Sequence, residues 1–365
     1  MRRVEIATHR NQRILFICGS MNQTAQMHKI SIALEGMLTD VEIAFTPYYA
    51  TGLLEMLRKW GLLDFTILGA LSSNRVMEYC RANGLILDDH GRQGPYDLVL
   101  TCADLIMPHN IRHSPIILVQ EGMTDPEGWA YHLVRWMPLL PRWIASTAMM
   151  GLSGRYTRFC VASEAYKELF IRKGAPARKL MVTGIPNFDD CAKHLYNEFM
   201  YRDYFLVCTS DLRETFIPEN RKKFIHRAVE LAAGRPILFK LHPNENWPRA
   251  KREIERYAPG SKVFTSENTD DMIANCSGFL THYSSTVFVA LALGKEVHCD
   301  LNIEDLKALL PVQNRSAAQN IANVCLDVLR NQEDGVASTL TYSSARHPVE
   351  WARAYYRARV RAVSE

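Results

Sequence analysis

Short apolar runs alternate with longer amphipathic ones along the whole chain. In the first half, residues 13–18 (RILFIC), 41–46, 97–102 (DLVLTC), 115–120 (PIILVQ), 159–163 and 180–183 read as strands. Helices are predicted from residue 20 to about 37 and over 53–60. Strands that are apolar throughout, and separated by helices, belong to a parallel sheet covered on both faces. Proline, asparagine and aspartates break the pattern within 186–201, and it then restarts. Residues 204–210 (YFLVCTS), 236–242 (PILFKLH), 262–265, 278–281 and 295–299 read as strands, with helices over 221–233 and 247–257. A helix over 316–330 is expected to close this second half. The expected division is therefore 1–190, 200–345 and a C-terminal helix in 346–365. That last helix has apolar and basic faces, suited to packing back on the first domain or to lying on a membrane. The fold class is α/β, with two doubly wound Rossmann-like domains facing across a cleft.

Length and composition agree with this. The 365 residues suit two domains, and 47% hydrophobic with 22% charged residues is enough for two cores. A net charge of +4 without a dense basic face argues against nucleic acid as a partner and suits an anionic substrate or a membrane surface. The nine cysteines are odd in number, form no CxxC pair and fall partly in apolar runs. They read as reduced, buried thiols of a cytoplasmic protein. The polar start MRRVEIATHRNQ shows no leader, and no run of about 18 uncharged apolar residues is present.

Open parallel sheets bind ligands beyond the carboxyl ends of their strands, so residues there carry the candidate chemistry. The strand PILFKLH ends in Lys240, His242 and Pro243. A lysine and a histidine at i and i+2 share one face of a strand, which would place two donors together for a phosphate ester. The strand at 278–281 runs into HYSSTVFVALALGKEV, with Ser284, Ser285 and Thr286 opening an apolar helix. Hydroxyls and free N–H groups at a helix start suit an anion; simple helix capping accounts for the same residues. Ser210, after the strand at 204–210, is a further phosphate contact or a turn cap.

In the first half, Glu121 follows the strand PIILVQ and precedes the flexible Gly122, with Asp125 and Glu127 close behind. Asp104 lies after DLVLTC. Any of Glu121, Asp125 and Asp104 could serve as the base in a transfer reaction, alongside His242 as a catalytic or binding group. The loop Gly19–His28 is not a GxGxxG pattern, which argues against a dinucleotide cofactor. Its Asn22, Gln23 and His28 suit an acceptor or a sugar. No metal-binding motif stands out; His109 and His113 sit in the proline-flanked PHNIRHSP. The segment 129–156 mixes tryptophan, arginine and aliphatic residues and reads either as a membrane-contacting surface or as a core or oligomer contact.

KLHP, followed about forty residues later by HYSST and then ALALGKEV, resembles the donor half of GT-B enzymes. Bacterial sialyltransferases and capsule transferases carry such His-Pro and Ser-Ser/Thr motifs, and CDP-glycerol glycerophosphotransferases a similar pair. Residues 183–189 (TGIPNFD) resemble the linker of that group and of the UDP-N-acetylglucosamine 2-epimerases. The KLHPNEN stretch, with His242, Glu245 and Asn246, sits where the epimerases carry a His-Arg-x-Glu-Asn motif, but Pro243 and Asn244 depart from it. The histidine expected before their glutamate is Gln120. The resemblance implies a GT-B fold and a metal-independent glycosyltransferase without a cofactor. A nucleotide-activated sugar, of cytidine type in some of the group, would be its co-substrate. Its acceptor would be a glycan or a lipid-linked glycan of a surface polysaccharide, met in the cytoplasm or at the inner face of the membrane. An epimerase, a polyol-phosphate transferase and a non-catalytic nucleotide-sugar binder are the alternatives.

Overall fold

The computed structural model describes residues 11–60, 68–137, 139–214 and 217–333. The helix expected in 346–365 lies outside them. The chain forms two compact units, one of residues up to 189 with 314–333, the other of 190–313.

In the first unit the order is β1 (Gln12–Cys18), α1 (Met21–Glu35), β2 (Val41–Pro47), α2 (Leu53–Lys59), α3 (Ala70–Ala82), β3 (Ile86–Leu87), β4 (Leu98–Thr101), β5 (Ile116–Val119), α4 (Trp129–Trp136), β6 (Arg158–Val161), α5 (Glu164–Lys173) and β7 (Leu180–Val182). Its seven strands are ordered β3-β2-β1-β4-β5-β6-β7, and every pairing is parallel. β4 and β5 are buried along their whole length, as their uninterrupted apolar sequences require. Ser20 caps α1 by accepting from Gln23 N, and Ser163 caps α5 by accepting from Tyr166 N. Gly174 closes α5 in the left-handed region at φ 107°.

The second unit contains β8 (Phe205–Cys208), α6 (Arg221–Ala232), β9 (Ile237–Lys240), α7 (Trp247–Tyr257), β10 (Lys262–Phe264), α8 (Thr269–Asn275), β11 (Gly278–Thr281), α9 (Thr286–Ala292), β12 (Glu296–His298) and α10 (Ile303–Ala308). Its parallel sheet is ordered β10-β9-β8-β11-β12. Asparagines cap α6, α7, α8 and α10, each accepting backbone N–H groups of the first turn. Both sheets reverse strand order, at β1/β4 and at β8/β11, which is where doubly wound folds bind ligands.

One expectation is corrected. The helix over 316–330, assigned to the second half, is α11 (Ala317–Glu333), and it belongs to the first unit. Ile321, Ala322, Cys325 and Leu329 pack into the core formed by Met27, Ile30 and Leu34 of α1 with β1, β2 and β4. Asp189, in the stretch TGIPNFD, receives the Ala317 N–H at 2.8 Å and so caps this helix on its return. All nine cysteines are buried and unbridged.

Candidate functional site

In the first unit the groups beyond β1 and β5 converge on Glu121. Its Oε1 accepts from Ser20 Oγ at 2.9 Å and from Asn22 Nδ2 at 3.4 Å, and its Oε2 accepts from Gln23 Nε2 at 2.6 Å. Gln23 is itself fixed by accepting the Gly19 N–H at 2.7 Å. Asn22 accepts from Asn187 Nδ2 at 2.8 Å through both its side-chain and backbone oxygens, and Lys29 donates to Asn187 Oδ1 at 2.7 Å. So Asn22 and Gln23, read from sequence as acceptor contacts, are positioned here to orient a carboxylate. Gln120 is a brace, accepting from Ala162 N and donating to Gly122 O.

The remaining first-half candidates do other work. Asp104 is fully buried; its two oxygens accept the N–H groups of Gly151 and Ser153 at 3.0 Å each, and Arg142 lies at 3.7 Å. That carboxylate, offered by the sequence as a reacting base, holds the 142–153 stretch here. Asp125 is bridged to Thr147, whose hydroxyl both donates to its Oδ2 at 2.8 Å and accepts its N–H at 2.7 Å. His28 meets the Tyr79 hydroxyl at 3.1 Å and packs edge-on to that ring, the arrangement of a satisfied helix histidine.

In the second unit the loops after β8, β9 and β11 are tied together. Thr209 Oγ1 accepts the His242 N–H at 3.2 Å and donates to buried Glu245 at 2.5 Å. Glu245 also pairs with Arg221 at 2.7 Å, yet burial keeps its carboxyl above the ordinary value. Arg221 pairs in addition with Glu219 at 2.9 Å, and Arg213 approaches the same carboxylate at 3.5 Å. Glu219 accepts from His282 Nε2 at 3.0 Å, while His282 Nδ1 meets Asp300 at 2.7 Å. The His282 ring lies flat on Phe224 at 3.9 Å. Burial by itself lowers the His282 pKa, but its bonds to Asp300 and Glu219 outweigh that and raise it. Glu219, despite burial, is held below the ordinary carboxylate value by His282, Arg221 and Arg213. A cavity of about 910 Å³ opens beside this network, lined by Arg213, Arg221, Lys222, Arg249 and others.

The sequence-predicted phosphate contacts sort as follows. β9 stops at Lys240, so strand alternation does not carry the lysine and histidine onto one face. Lys240 Nζ donates instead to Thr265 O, beyond β10, at 2.7 Å, and burial lowers its pKa. His242 is partly exposed; its Nδ1 accepts the Asn244 N–H at 3.3 Å, so the neutral ring carries its proton on Nε2. Burial lowers the His242 pKa, against the pull of Asp211 and Glu214, which favours that neutral form. Pro243 is exposed and turns the chain out of the strand. Ser285 stands at the cap position of α9 but makes no capping bond, so plain capping does not explain it. Ser284 Oγ accepts from Thr286 Oγ1 at 2.9 Å and from Thr286 N at 3.3 Å. Ser210 Oγ is buried without a protein partner. β9 and β11 flank β8, so the strand ends that lead to His242 and Ser284 are about 10 Å apart, with the end that leads to Ser210 between them.

Glu219, Arg221 and Arg213 were not singled out in the sequence. For Glu219 and Arg221 the signal is the polar run ENRKK after IP at the start of α6, which looks like a solvated helix end until Glu219 is seen to be buried; Arg213 lies earlier, in DLRET.

No family model matches the sequence, and no curated protein does. Solved structures do match in fold. UDP-GlcNAc 2-epimerase from Neisseria meningitidis, bound to UDP-GlcNAc, aligns with a TM-score of 0.53 at 13% identity, over 88% of this chain and 100% of that one. The Methanocaldococcus jannaschii UDP-GlcNAc 2-epimerase, in complex with UDP-GlcNAc and UDP, aligns with a TM-score of 0.52 at 14% identity, over 87% and 100%. The wall teichoic acid polymerase TagF aligns with a TM-score of 0.50 at 12% identity, over 89% and 90%. The chain therefore has the two Rossmann-like, parallel-sheet domains of a GT-B fold.

Proposed function

We propose that the protein is a glycosyltransferase that takes a sugar from a nucleotide-activated donor. The observation that supports it is that β9, β8 and β11 are neighbours in one parallel sheet, so the segments bearing His242, Ser210 and Ser284–Thr286 all leave its carboxyl end. In this reading the hydroxyls and the His242 Nε2 proton hold the donor phosphates and stabilise charge on the departing nucleotide. Glu121, oriented by Ser20, Asn22 and Gln23, takes the proton of the acceptor hydroxyl as the sugar is transferred. The donor is a co-substrate, and the reaction needs no cofactor. The acceptor is a glycan or lipid-linked glycan.

Epimerisation is the second reading, favoured by the fold likeness to enzymes crystallised with UDP-GlcNAc. Removing a proton from carbon and returning it to the other face asks for two acid–base groups. With Asp104 committed to Gly151 and Ser153, Glu121 is the carboxylate assigned here as a single base, the number that transfer needs.

The test is thermal shift and turnover with a panel of CMP-, CDP-, UDP- and GDP-sugars, on the native chain and on His242→Ala. A cognate donor should raise the melting temperature, and His242→Ala should weaken kcat/KM by roughly 10²-fold or more. Unchanged affinity and turnover in that variant would remove His242 from the site. Inversion of UDP-GlcNAc at the 2-position with no acceptor would establish the epimerase, and release of UDP with it, by water, the hydrolysing form.

A further inference from the structure

Between β5 and β6 the chain leaves the sheet and builds a small core of its own. Tyr131 and Val134 of α4 pack on Ala145, Ala148 and Met149 of the 3-10 helix Arg142–Met149, separately from the core under the sheet. The excursion is moored at its base. Buried Asp104 holds Gly151, Ser153 and Arg142, and buried Lys173 donates to Ala148 O. A fixed base leaves the outer surface with a defined shape.

That outer surface is apolar. Trp129 is 74% exposed, Trp136 79% and Leu139 98%, with Trp143 and Ile144 also turned outward. Trp129 and Trp136 are seven residues apart on α4 and share its outer face, opposite Tyr131 and Val134. Exposed side chains of this size in one stretch mark an interaction surface. Its charge leans positive: Arg135 and Arg155 are exposed, residues 128–163 hold no aspartate or glutamate, and Glu127, which precedes them, is only partly exposed. Tryptophan and arginine both favour the boundary between lipid and water, the indole for its amphipathic ring and the guanidinium for headgroup phosphate. A two-fold contact between copies through the same patch would instead bring arginines together with no carboxylate of this segment to pair them.

We infer that this surface docks on a bilayer with anionic headgroups. Trp129, Trp136 and Leu139 enter the headgroup region, and the exposed Arg135 and Arg155 supply the positive charge that meets lipid phosphates. The inference rests on this surface alone and stands or falls independently of the donor site.

The experiment is co-sedimentation of the full chain with vesicles of phosphatidylglycerol and phosphatidylcholine, and with phosphatidylcholine alone. It is run on the native protein and on W129S/W136S/L139S. The expected result is binding to the anionic vesicles that weakens with added salt and falls by about tenfold or more in the triple variant. Brominated lipid should quench the tryptophan emission of the native protein, a reading that needs no variant. Absence of binding to anionic vesicles, absence of quenching, or binding unchanged by the triple substitution would each overturn the proposal. Self-association in sedimentation that disappears in the triple variant, without vesicle binding, would assign the patch to a second copy of the chain instead.

Discussion

Replacing His282 by alanine tests the charge network of the second unit. The imidazole side chain is 15% exposed and lies between Asp300 at 2.7 Å and Glu219 at 3.0 Å, with Glu219 1% exposed. Removing one partner from a buried ionic group usually costs ~3–5 kcal/mol, because the other charge is stranded. Here neither carboxylate is stranded: Glu219 keeps Arg221 at 2.9 Å and Asp300 keeps Arg227 at 3.0 Å. The electrostatic loss therefore falls below that range, and the lost stack on Phe224 adds ~0.5–1.5 kcal/mol. The expected destabilisation is about 2–3 kcal/mol, or roughly 6–9 °C in the melting transition of the second unit, read by calorimetry. The pH dependence carries the sharper signature. The folded pKa of His282 is raised, so its stabilisation is complete below the unfolded value of about 6.5 and is lost as pH rises through the folded value. The folded pKa of Glu219 is lowered, so its share is present above about 4.3 and is lost as pH falls through the folded value. The difference between native and His282→Ala protein should accordingly be largest between about pH 4.5 and 6.5 and shrink in alkali. A difference under about 0.5 kcal/mol at pH 6, or one that does not shrink as the solution is made alkaline, would refute an ionised His282 in this network.

Asp104→Asn should lower the stability of the first unit by about 1–3 kcal/mol, because an amide nitrogen would face one of the Gly151 and Ser153 donors, while kcat/KM per folded molecule stays within about threefold. A hundredfold loss of turnover with normal melting would restore Asp104 as a reacting group. Gly151→Ala places a Cβ 2.5 Å from Phe159 Cε1 at a φ of +75°, so a loss of about 2 kcal/mol or more is expected in chemical denaturation. Glu121→Gln should fold normally and lose about 10²-fold or more in kcat with little change in donor KM, measured by steady-state kinetics.

The candidate site was legible to the extent that local sequence carries it. Ser210, His242 and Ser284–Thr286 each follow an apolar run, so a strand end with a polar group beyond it could be read without knowing the strand order. For Lys240, strand alternation does not reach past the last paired residue, and its ammonium meets the Thr265 carbonyl. Sequence could not sort Asp104, because an acid after a strand looks the same whether it awaits a substrate or holds a loop. The helices at Ala70–Ala82 and Glu164–Lys173 escaped notice because charged residues interrupt their apolar periods.

The order of apolar runs determined that this chain forms two parallel-sheet units, because a strand buried on both faces must be apolar along its length. It also determined the cap residues, since a serine or asparagine acts on the next turn of its own helix. Pairing over long separations was decided only in three dimensions. The apolar face of α11 says that something must cover it, and only the folded chain shows that Met27, Ile30 and Leu34 of α1 do, some 290 residues earlier in sequence. The same holds for Glu219 and His282. Each reads as an ordinary polar residue until the sheet brings their loops together, and burial then makes the pair costly to break.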